Sequence, residues 1–355
     1  MKKIIFILIC LLIFTQLPAA EKLTGNLMGR VISIENDYPL NNVSVIIVEL
    51  EQGVYTNEKG QYHFYDIPVG NYTVSFQLIS YKPQAKTDVI VRSDRTTFIN
   101  GELTRQSIRI EGISAEIGYF DEAEEETTST ISFSNEEIRR APGSAGDVSR
   151  ILLSLPGVAK VNDQSNNLIV RGGNPMENTF FIDNIEIPNI NHFPQQGSSG
   201  GPIGILNVDF IEDVTFSTGG FSALYGDKLS SIMEIDFRDG NPNEYEGQLD
   251  FSWMGFGGIV EGPLSKKGSM MLAIKRSYLK YLIDVIDMGT SATPEYGDIQ
   301  AKITYEFNPF QKLTFLAVYA DDHNSPDQED AQENQMTHYG NQDLYQGTWG
   351  MNWRS

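Results

Sequence analysis

Three patterns predict a multidomain protein: an N-terminal all-β sandwich, a small α/β domain, and then the first antiparallel strands of a transmembrane β-barrel, incomplete within these residues. Short strand-like runs separated by turn residues fill positions 23–103. Helix signals interleave with strand runs over 127–238. From Gly247 onward, long runs alternate between apolar and polar residues. A length of 355 residues suits two or three domains.

The chain opens with Lys2 and Lys3, an apolar run from Ile4 to Phe14, and the small residues Ala19 and Ala20. Eleven apolar residues fall short of the roughly 20 that a helix needs to span a bilayer. Residues 1–20 therefore read as a cleaved export signal. Cys10 sits inside this leader and is the one cysteine of the sequence, so the mature chain has no disulfide or thiolate chemistry. Acidic residues number 47 against 26 basic, a formal net charge of -21. That balance argues against nucleic acid as a partner, because a phosphate backbone calls for a basic face.

Within 23–103, strands are expected at Met28–Ile34, Val43–Leu50, Gly53–Thr56, Gln61–Tyr65, Asn71–Leu78 and Lys86–Val91. The turns Asn57–Gly60 and Pro68–Asn71 separate some of them. This spacing indicates a small β-sandwich, with Tyr62, Phe64 and Tyr72 as packing residues. The stretch from Gly29 to Lys82 resembles the carboxypeptidase-regulatory-like domain. That resemblance implies a seven-stranded sandwich without catalytic residues, serving as a periplasmic accessory module.

Residues 104–126 form an acidic joint. Asp121–Glu126 reads DEAEEE, five acids in six residues, which repel one another and stay solvated. Before it, Ile108, Ile110 and Ile113 alternate weakly. Such a segment could form a sheet edge, or pair with another protein by strand addition.

The α/β domain spans 127–238. Thr128–Phe133 reads as a strand, and Ser134 with Glu137 forms a capping box that should start a short helix. A second helix is expected from Ala145 or Asp147, with Val148, Ile151, Leu152 and Leu155 on its apolar stripe and Pro156-Gly157 ending it. Then comes IVRGGNPMENTFFIDNIEIPNINHF, from Ile169 to Phe193. It reads as a strand at Leu168–Val170, a glycine turn after Arg171 at Gly172-Gly173, and a hairpin whose arms, Phe180–Ile182 and Ile185–Ile187, meet at Asp183-Asn184. Gln195–Gly204 is a loop rich in glycine and serine without the phosphate-cradling pattern. Ser230–Phe237 closes the domain as a strand.

Three blocks in order carry a second resemblance: FSNEEIRRAPGSAGDVSRILLSLPGV, the Ile169–Phe193 stretch, and FIEDVTFSTGGFSALYGDKLSSIMEIDFRDGN. Together they resemble the plug of a TonB-dependent outer-membrane receptor. The resemblance implies a small α/β plug lodged in a 22-stranded barrel. It also implies a segment before the plug that is pulled by the TonB-ExbB-ExbD energy-transducing complex. The family's plug arginine and paired glycines fall on Arg171, Gly172 and Gly173, and its hairpin aspartate on Asp183. Asn178, Asn191, His192, Gly219, Gly220, Tyr225 and Gly226 complete the plug motif. The coupling segment would fall near Ile108, Ile110 and Ile113. The implied partners are outer-membrane lipid and a small ligand that these residues do not identify.

Over 245–355 the strand runs are clear. Leu249, Phe251 and Trp253 oppose Gln248, Asp250 and Ser252. Met270, Leu272, Ile274 and Tyr278 share one face, which Arg276 interrupts. Ile299, Ala301, Ile303, Tyr305 and Phe307 oppose Gln300, Lys302, Thr304 and Glu306. Leu313, Phe315 and Tyr319, then Tyr345, Trp349, Met351 and Trp353, continue the pattern. A soluble sheet with one wet face has the same period, but aromatic residues near strand ends favour a membrane wall. Gly262-Pro263 and Asn308-Pro309 are expected as periplasmic turns, with Tyr278–Met288 and Asp321–Asp343 in extracellular excursions.

About five runs follow Gly247, too few to close a barrel, and an open edge in hydrocarbon leaves backbone groups unpaired. The expectation is therefore the front part of a longer receptor, or a truncated product that transports nothing. An interaction or signalling protein of the periplasm or outer membrane, with no transport activity, is the alternative.

No enzymatic reading is supported. The histidines His63, His192, His323 and His338 have no metal-ligand spacing, and no nucleophile setting occurs. No cofactor or metal is expected. Asp321, Asp322, His323, Asp327, Glu329 and Asp330 read as a solvated external loop, and His192 as locally packed.

Overall fold

The structure is a computed structural model that describes residues 23–93, 95–106, 129–144, 147–160, 165–194, 200–222, 224–252, 255–279, 294–308, 310–325 and 341–354. The leader, the acidic joint and the coupling segment with Ile108, Ile110 and Ile113 lie outside the described residues. The chain divides into two compact units, 1–111 and 112–355.

The first unit is a two-sheet sandwich. Its strands are β1 (Thr24–Ser33), β2 (Ser44–Ile47), β3 (Gln52–Tyr55), β4 (Gln61–Pro68), β5 (Gly70–Gln77), β6 (Gln84–Val91), β7 (Thr96–Phe98) and β8 (Gly101–Leu103). One sheet runs β4-β1-β7 with β8 also on β1, and the other runs β3-β2-β5-β6. Leu27, Val31, Val45, Ile47, Val74 and Phe76 are fully buried between them, and Tyr62, Phe64 and Tyr72 join that core as the alternation implied. The run expected to continue to Leu50 instead breaks at Ile47. Val48–Leu50 forms one 3-10 turn that ends on Glu51 in the left-handed region, so the chain reverses into β3.

The second unit begins with the α/β domain. A five-stranded sheet of order β13-β12-β17-β16-β9 is built from β9 (Thr130–Ser134), β12 (Asn178–Ile182), β13 (Ile185–Ile187), β16 (Ile211–Ser217) and β17 (Ser231–Phe237). Two small ribbons flank it: β10 (Val158–Lys160) with β11 (Leu168–Val170), and β14 (Asn191–His192) with β15 (Ile203–Gly204). The capping box forms at Ser134 and Glu137 and starts the helix Asn135–Arg140. The second helix is Val148–Leu152, capped by Asp147. It stops short of Pro156-Gly157, because Leu153–Leu155 continue as turns while Leu155 still packs on the core.

A six-stranded antiparallel sheet follows in sequence order: β18 (Glu246–Ser252), β19 (Gly255–Ser265), β20 (Gly268–Ser277), β21 (Pro294–Asn308), β22 (Gln311–Asn324) and β23 (Gln342–Arg354). It is not closed, and β18 and β23 are its edges.

Two expectations need correction. Gly262-Pro263 is not a turn; it lies within β19, and the reversal comes at Lys266-Lys267. β18 pairs with β19 only as far as Glu261, so Pro263 sits at a local edge with a bulge between Pro263 and Ser265, where a missing N–H is tolerated. Asp321–Asn324 is not a loop either. It extends β22, pairing with Pro294–Gly297 on one side and Gln342–Tyr345 on the other. The ladder outweighs the polar composition because Asp322 turns inward onto the α/β domain. The Asn308 turn forms as expected.

The two faces of this sheet have opposite chemistry. Leu249, Phe251, Ile274, Tyr345, Trp349 and Met351 point outward and are exposed. Asp298, Gln300, Lys302 and Thr304 of β21 are buried on the inner face, beside Ile259, Met271, Ala273, Leu316 and Val318. These apolar inner residues join the same core as Ile182, Phe210, Val214 and Ile235 of the α/β domain. A soluble sheet would hide its aromatic residues and hydrate its lysine. Here the lysine is 4% exposed and Trp349 is 71% exposed. That is the signature of a wall whose outer solvent is lipid.

Candidate functional site

The motif residues take up two sets of positions. One set gathers at the end of the five-stranded sheet where β9 begins. Arg171 (φ 49°) and Gly172 (φ 80°) both occupy the left-handed region, so the chain leaves β11 through a tight turn. Gly173 is needed for space, since a Cβ there would lie 2.2 Å from Ser230 Oγ. Asn178 holds the turn to the sheet. Its amide donates to the carbonyls of Leu168 (2.7 Å) and Pro175 (3.1 Å), and its oxygen accepts from Ser231 Oγ (2.8 Å). Gly219 and Gly220 also have positive φ, and Ser129 Oγ donates to the Gly219 carbonyl. Tyr225 donates to Glu234, and burial with that carboxylate pushes its hydroxyl well above the usual tyrosine range. Gly226 stands in open space.

The other set lies where the α/β domain meets the wall. Asp183 and Asn184 both have positive φ, which a two-residue hairpin turn requires. The Asp183 side chain accepts from the Phe237 N–H (3.0 Å) and pairs with Lys302 Nζ (2.9 Å). Its carbonyl accepts from Asn352 Nδ2 (3.2 Å). Lys302 is buried, also donates to the Phe237 carbonyl, and lies 3.6 Å from Asp239. At the domain's exit, Arg238 makes a two-pronged pair with buried Glu261 of β19, at 2.6 and 2.7 Å. Gln300 spans the interface, accepting from the Asn207 N–H (3.0 Å) and donating to the Ile205 carbonyl (2.9 Å).

Toward the strand ends that carry the longer connections, Asn191 and His192 make the contact. The Asn191 carbonyl accepts from Gln346 of β23 (3.0 Å). His192 is fully buried between two wall carboxylates, with Nδ1 2.6 Å from Asp322 and Nε2 3.2 Å from Asp298. Burial opposes its charge, but hydrogen bonds and charge from Asp298 and Asp322 prevail and hold its pKa above the ordinary histidine value. Behind it, Asn166 bridges Asp147 (2.6 Å) and Asn191 (2.9 Å). Burial pushes the Asp147 carboxyl up, and bonds from Asn166, Ser149 and Gly204 offset this in part.

Sequence reasoning found Asp183, Asn191 and His192 but not their partners. Lys302 and Gln300 read as strand residues, and Asp322 as part of a solvated external loop. The one available signal was a lysine and an aspartate on the inward-facing side of runs otherwise clean in alternation. Among the described residues no group of histidine, aspartate and glutamate is arranged to hold a metal ion.

A small α/β domain seated on the inner face of an unclosed strand wall with an apolar outer face is the arrangement of a plug beside part of an outer-membrane barrel. Comparison with known proteins identifies two of its domains. Residues 27–114 match the CarboxypepD_reg-like domain and residues 122–231 the TonB-dependent Receptor Plug Domain. This chain thus carries an N-terminal CarboxypepD_reg-like domain followed by a TonB-dependent receptor plug domain. It is 26% identical over 257 residues to the TonB-dependent transporter Oar of Myxococcus xanthus, a match covering 69% of this chain and 23% of that relative's length. Solved structures with similarity include the siderophore receptors PirA from Acinetobacter baumannii (17% identity, 63% of this chain and 37% of that one, TM-score 0.45) and PirA from Pseudomonas aeruginosa (15%, 64% and 38%, TM-score 0.44).

Proposed function

We propose that this chain provides the accessory domain, the plug and part of the wall of an energy-coupled uptake receptor. A small ligand binds from outside, and the plug is rearranged from the periplasm by the TonB-ExbB-ExbD complex acting on the segment that holds Ile108, Ile110 and Ile113. The export signal at 1–20 and the sandwich at 23–103 fit delivery to, and placement in, the periplasm.

One observation carries this reading: the plug is tied to the wall by discrete polar pairs. Asp183 with Lys302, Arg238 with Glu261, and His192 with Asp298 and Asp322 join residues far apart in sequence. Pairs of this kind can exchange for water when a segment is pulled.

The test is ligand accumulation in cells that carry the protein with residues 106–113 deleted. Uptake should fall to the level of cells without the protein, while outer-membrane abundance stays the same. Unchanged accumulation would sink the coupling assignment.

A further inference from the structure

The imidazole of His192 has both ring nitrogens on carboxylate oxygens: Nδ1 on Asp322 Oδ1 at 2.6 Å and Nε2 on Asp298 Oδ2 at 3.2 Å. An ionised carboxylate only accepts, and a neutral imidazole has one N–H. Two N–H donors exist only in the imidazolium. The remaining oxygens of the pair are also used. Asp322 Oδ2 accepts from the Phe193 N–H (2.7 Å), and Asp298 Oδ1 accepts from Gln300 Nε2 (3.0 Å). Both ring nitrogens and all four oxygens of the two carboxylates are therefore in satisfied donor–acceptor pairs when the ring is protonated. Removing the proton leaves two buried carboxylates facing a neutral ring, one of them across a nitrogen lone pair.

From this geometry we propose that His192 is a proton-dependent clasp. Protonated, it fastens the plug loop 189–193 to β21 and β22 of the wall; deprotonated, it releases that loop and leaves the lower Asp183–Lys302 tie in place. The proposal rests on the uptake reading only for its consequence, since the clasp itself is a property of the folded plug and wall.

The surroundings make the ring a point of control. Phe193, next in the chain, is held at φ 53°, a conformation that costs a non-glycine residue energy and that its N–H bond to Asp322 helps maintain. Gly201 packs so closely that a Cβ there would lie 1.9 Å from the His192 carbonyl, so the 200–204 segment should move with the histidine. Among the described residues, the other charged and titratable groups facing the ring are few. Tyr296 of β21 lies 4.6 Å away centroid to centroid, with Lys275 of β20 5.5 Å from the tyrosine ring. On the plug side, Asp147 is reached through Asn166 and Asn191. β23 contributes neutral Gln346. With both aspartates ionised, the protonated cluster carries one net negative charge and the deprotonated cluster two.

The direction of the pH effect follows. His192 is raised in the folded protein, so its contribution is fully present below its unfolded value of about 6.5 and is lost as pH rises through the folded value. The loop should loosen toward alkaline pH.

The experiment uses the protein extracted from outer membranes, checked as folded by heat-modifiable mobility. Amide exchange over 189–206, corrected for intrinsic rates, is followed from about pH 6 to about pH 9 beside the histidine ring signals. We expect the His192 ring to titrate above the ordinary histidine value, and exchange in this segment to rise about tenfold or more across that titration. H192Q should flatten the exchange profile. If H192Q does not fold, D322N and D298N keep the ring and should each lower its titration. A His192 that titrates at or below the ordinary value, or an exchange profile unchanged by every variant that folds, would overturn the clasp. No ligand or energy source is present in this measurement, so a failure of the uptake reading leaves it interpretable, and deletion of 106–113 tests uptake with the clasp intact.

Discussion

In the sandwich, Val45, Val74 and Phe76 are fully buried. In the wall, Trp349 and Phe251 are exposed while Lys302, Gln300 and Asp298 are buried. Both regions are antiparallel β-structure with a period of two, so the backbone does not distinguish them. Their solvents do. The sandwich excludes water from an apolar interior, and in it apolar burial is the stabilising term. The wall meets hydrocarbon outside, where burying more apolar surface gains nothing, and what it must satisfy inside is hydrogen-bonding capacity. Identical alternation thus encodes opposite packing, and the inner face needs a polar partner. The plug supplies it.

The largest effect that can break this comparison is at Lys302. Its amine pairs with Asp183 at 2.9 Å and lies 3.6 Å from Asp239, with little access to solvent. Replacing it with alanine leaves the buried Asp183 carboxylate without a cation, while Asp239 keeps Lys312, at a cost of about 3–5 kcal/mol. Lys302→Ala should greatly increase amide exchange at 178–187 while the sandwich amides stay unchanged. Lys302→Met combined with Asp183→Asn should recover most of the loss, because it removes the charge problem along with the charge. If Lys302→Ala left the plug as protected as before, the inner face would not depend on polar matching, and the contrast with the sandwich would fail.

How much of this was legible in the sequence follows from the same contrast. Local chemistry was readable: the capping box at Ser134 and Glu137, the positive-φ pair Asp183-Asn184, and the alternation from Ile299 to Phe307 each depend on neighbours within a few positions. Contacts across the interface were not. His192 meets Asp298 and Asp322 over separations of 106 and 130 residues, and no local spacing encodes such a pairing. Two boundaries were misplaced for related reasons. Asp321–Asn324 looks like a loop because its acids are polar, yet Asp322 faces a histidine rather than water. Gly262-Pro263 looks like a turn because of residue type, yet β18 has already ended beside it and the strand continues. The buried asparagines Asn166 and Asn178 likewise stitch plug segments together, Asn166 by donating to Asn191 and Asn178 by donating to the Leu168 carbonyl.

A second test acts on the outer face. Ile299 lies mid-strand in β21 opposite Tyr319 and is 42% exposed. Arginine there would face hydrocarbon, at a cost of about 2–4 kcal/mol near the bilayer midplane. The matching change in the sandwich is Ile79→Arg, at a position 86% exposed, where a surface substitution should stay within about 0.5 kcal/mol. Folding yield into lipid vesicles reads the first, and urea unfolding of the sandwich reads the second. Equal tolerance at both sites would mean that the outer face of the wall is bathed in water.

The smallest of these effects sharpens the comparison from the sandwich side, where buried polar atoms serve the chain's own turns. Thr56 is buried; its hydroxyl donates to the Leu40 carbonyl (2.6 Å) and accepts from the Val43 N–H (2.9 Å). Thr56→Val keeps the shape but strands both backbone groups, a loss of about 1–3 kcal/mol. Urea unfolding should report that loss within the sandwich, with plug exchange unaltered. In the wall, Gln300 occupies the corresponding kind of position but spends its amide on Ile205 and Asn207 of the plug. Gln300→Leu should therefore raise plug exchange near 205–207 more than it destabilises the wall strands themselves. The two substitutions remove similar bonds. One binds a domain to itself, and the other binds the plug to the wall.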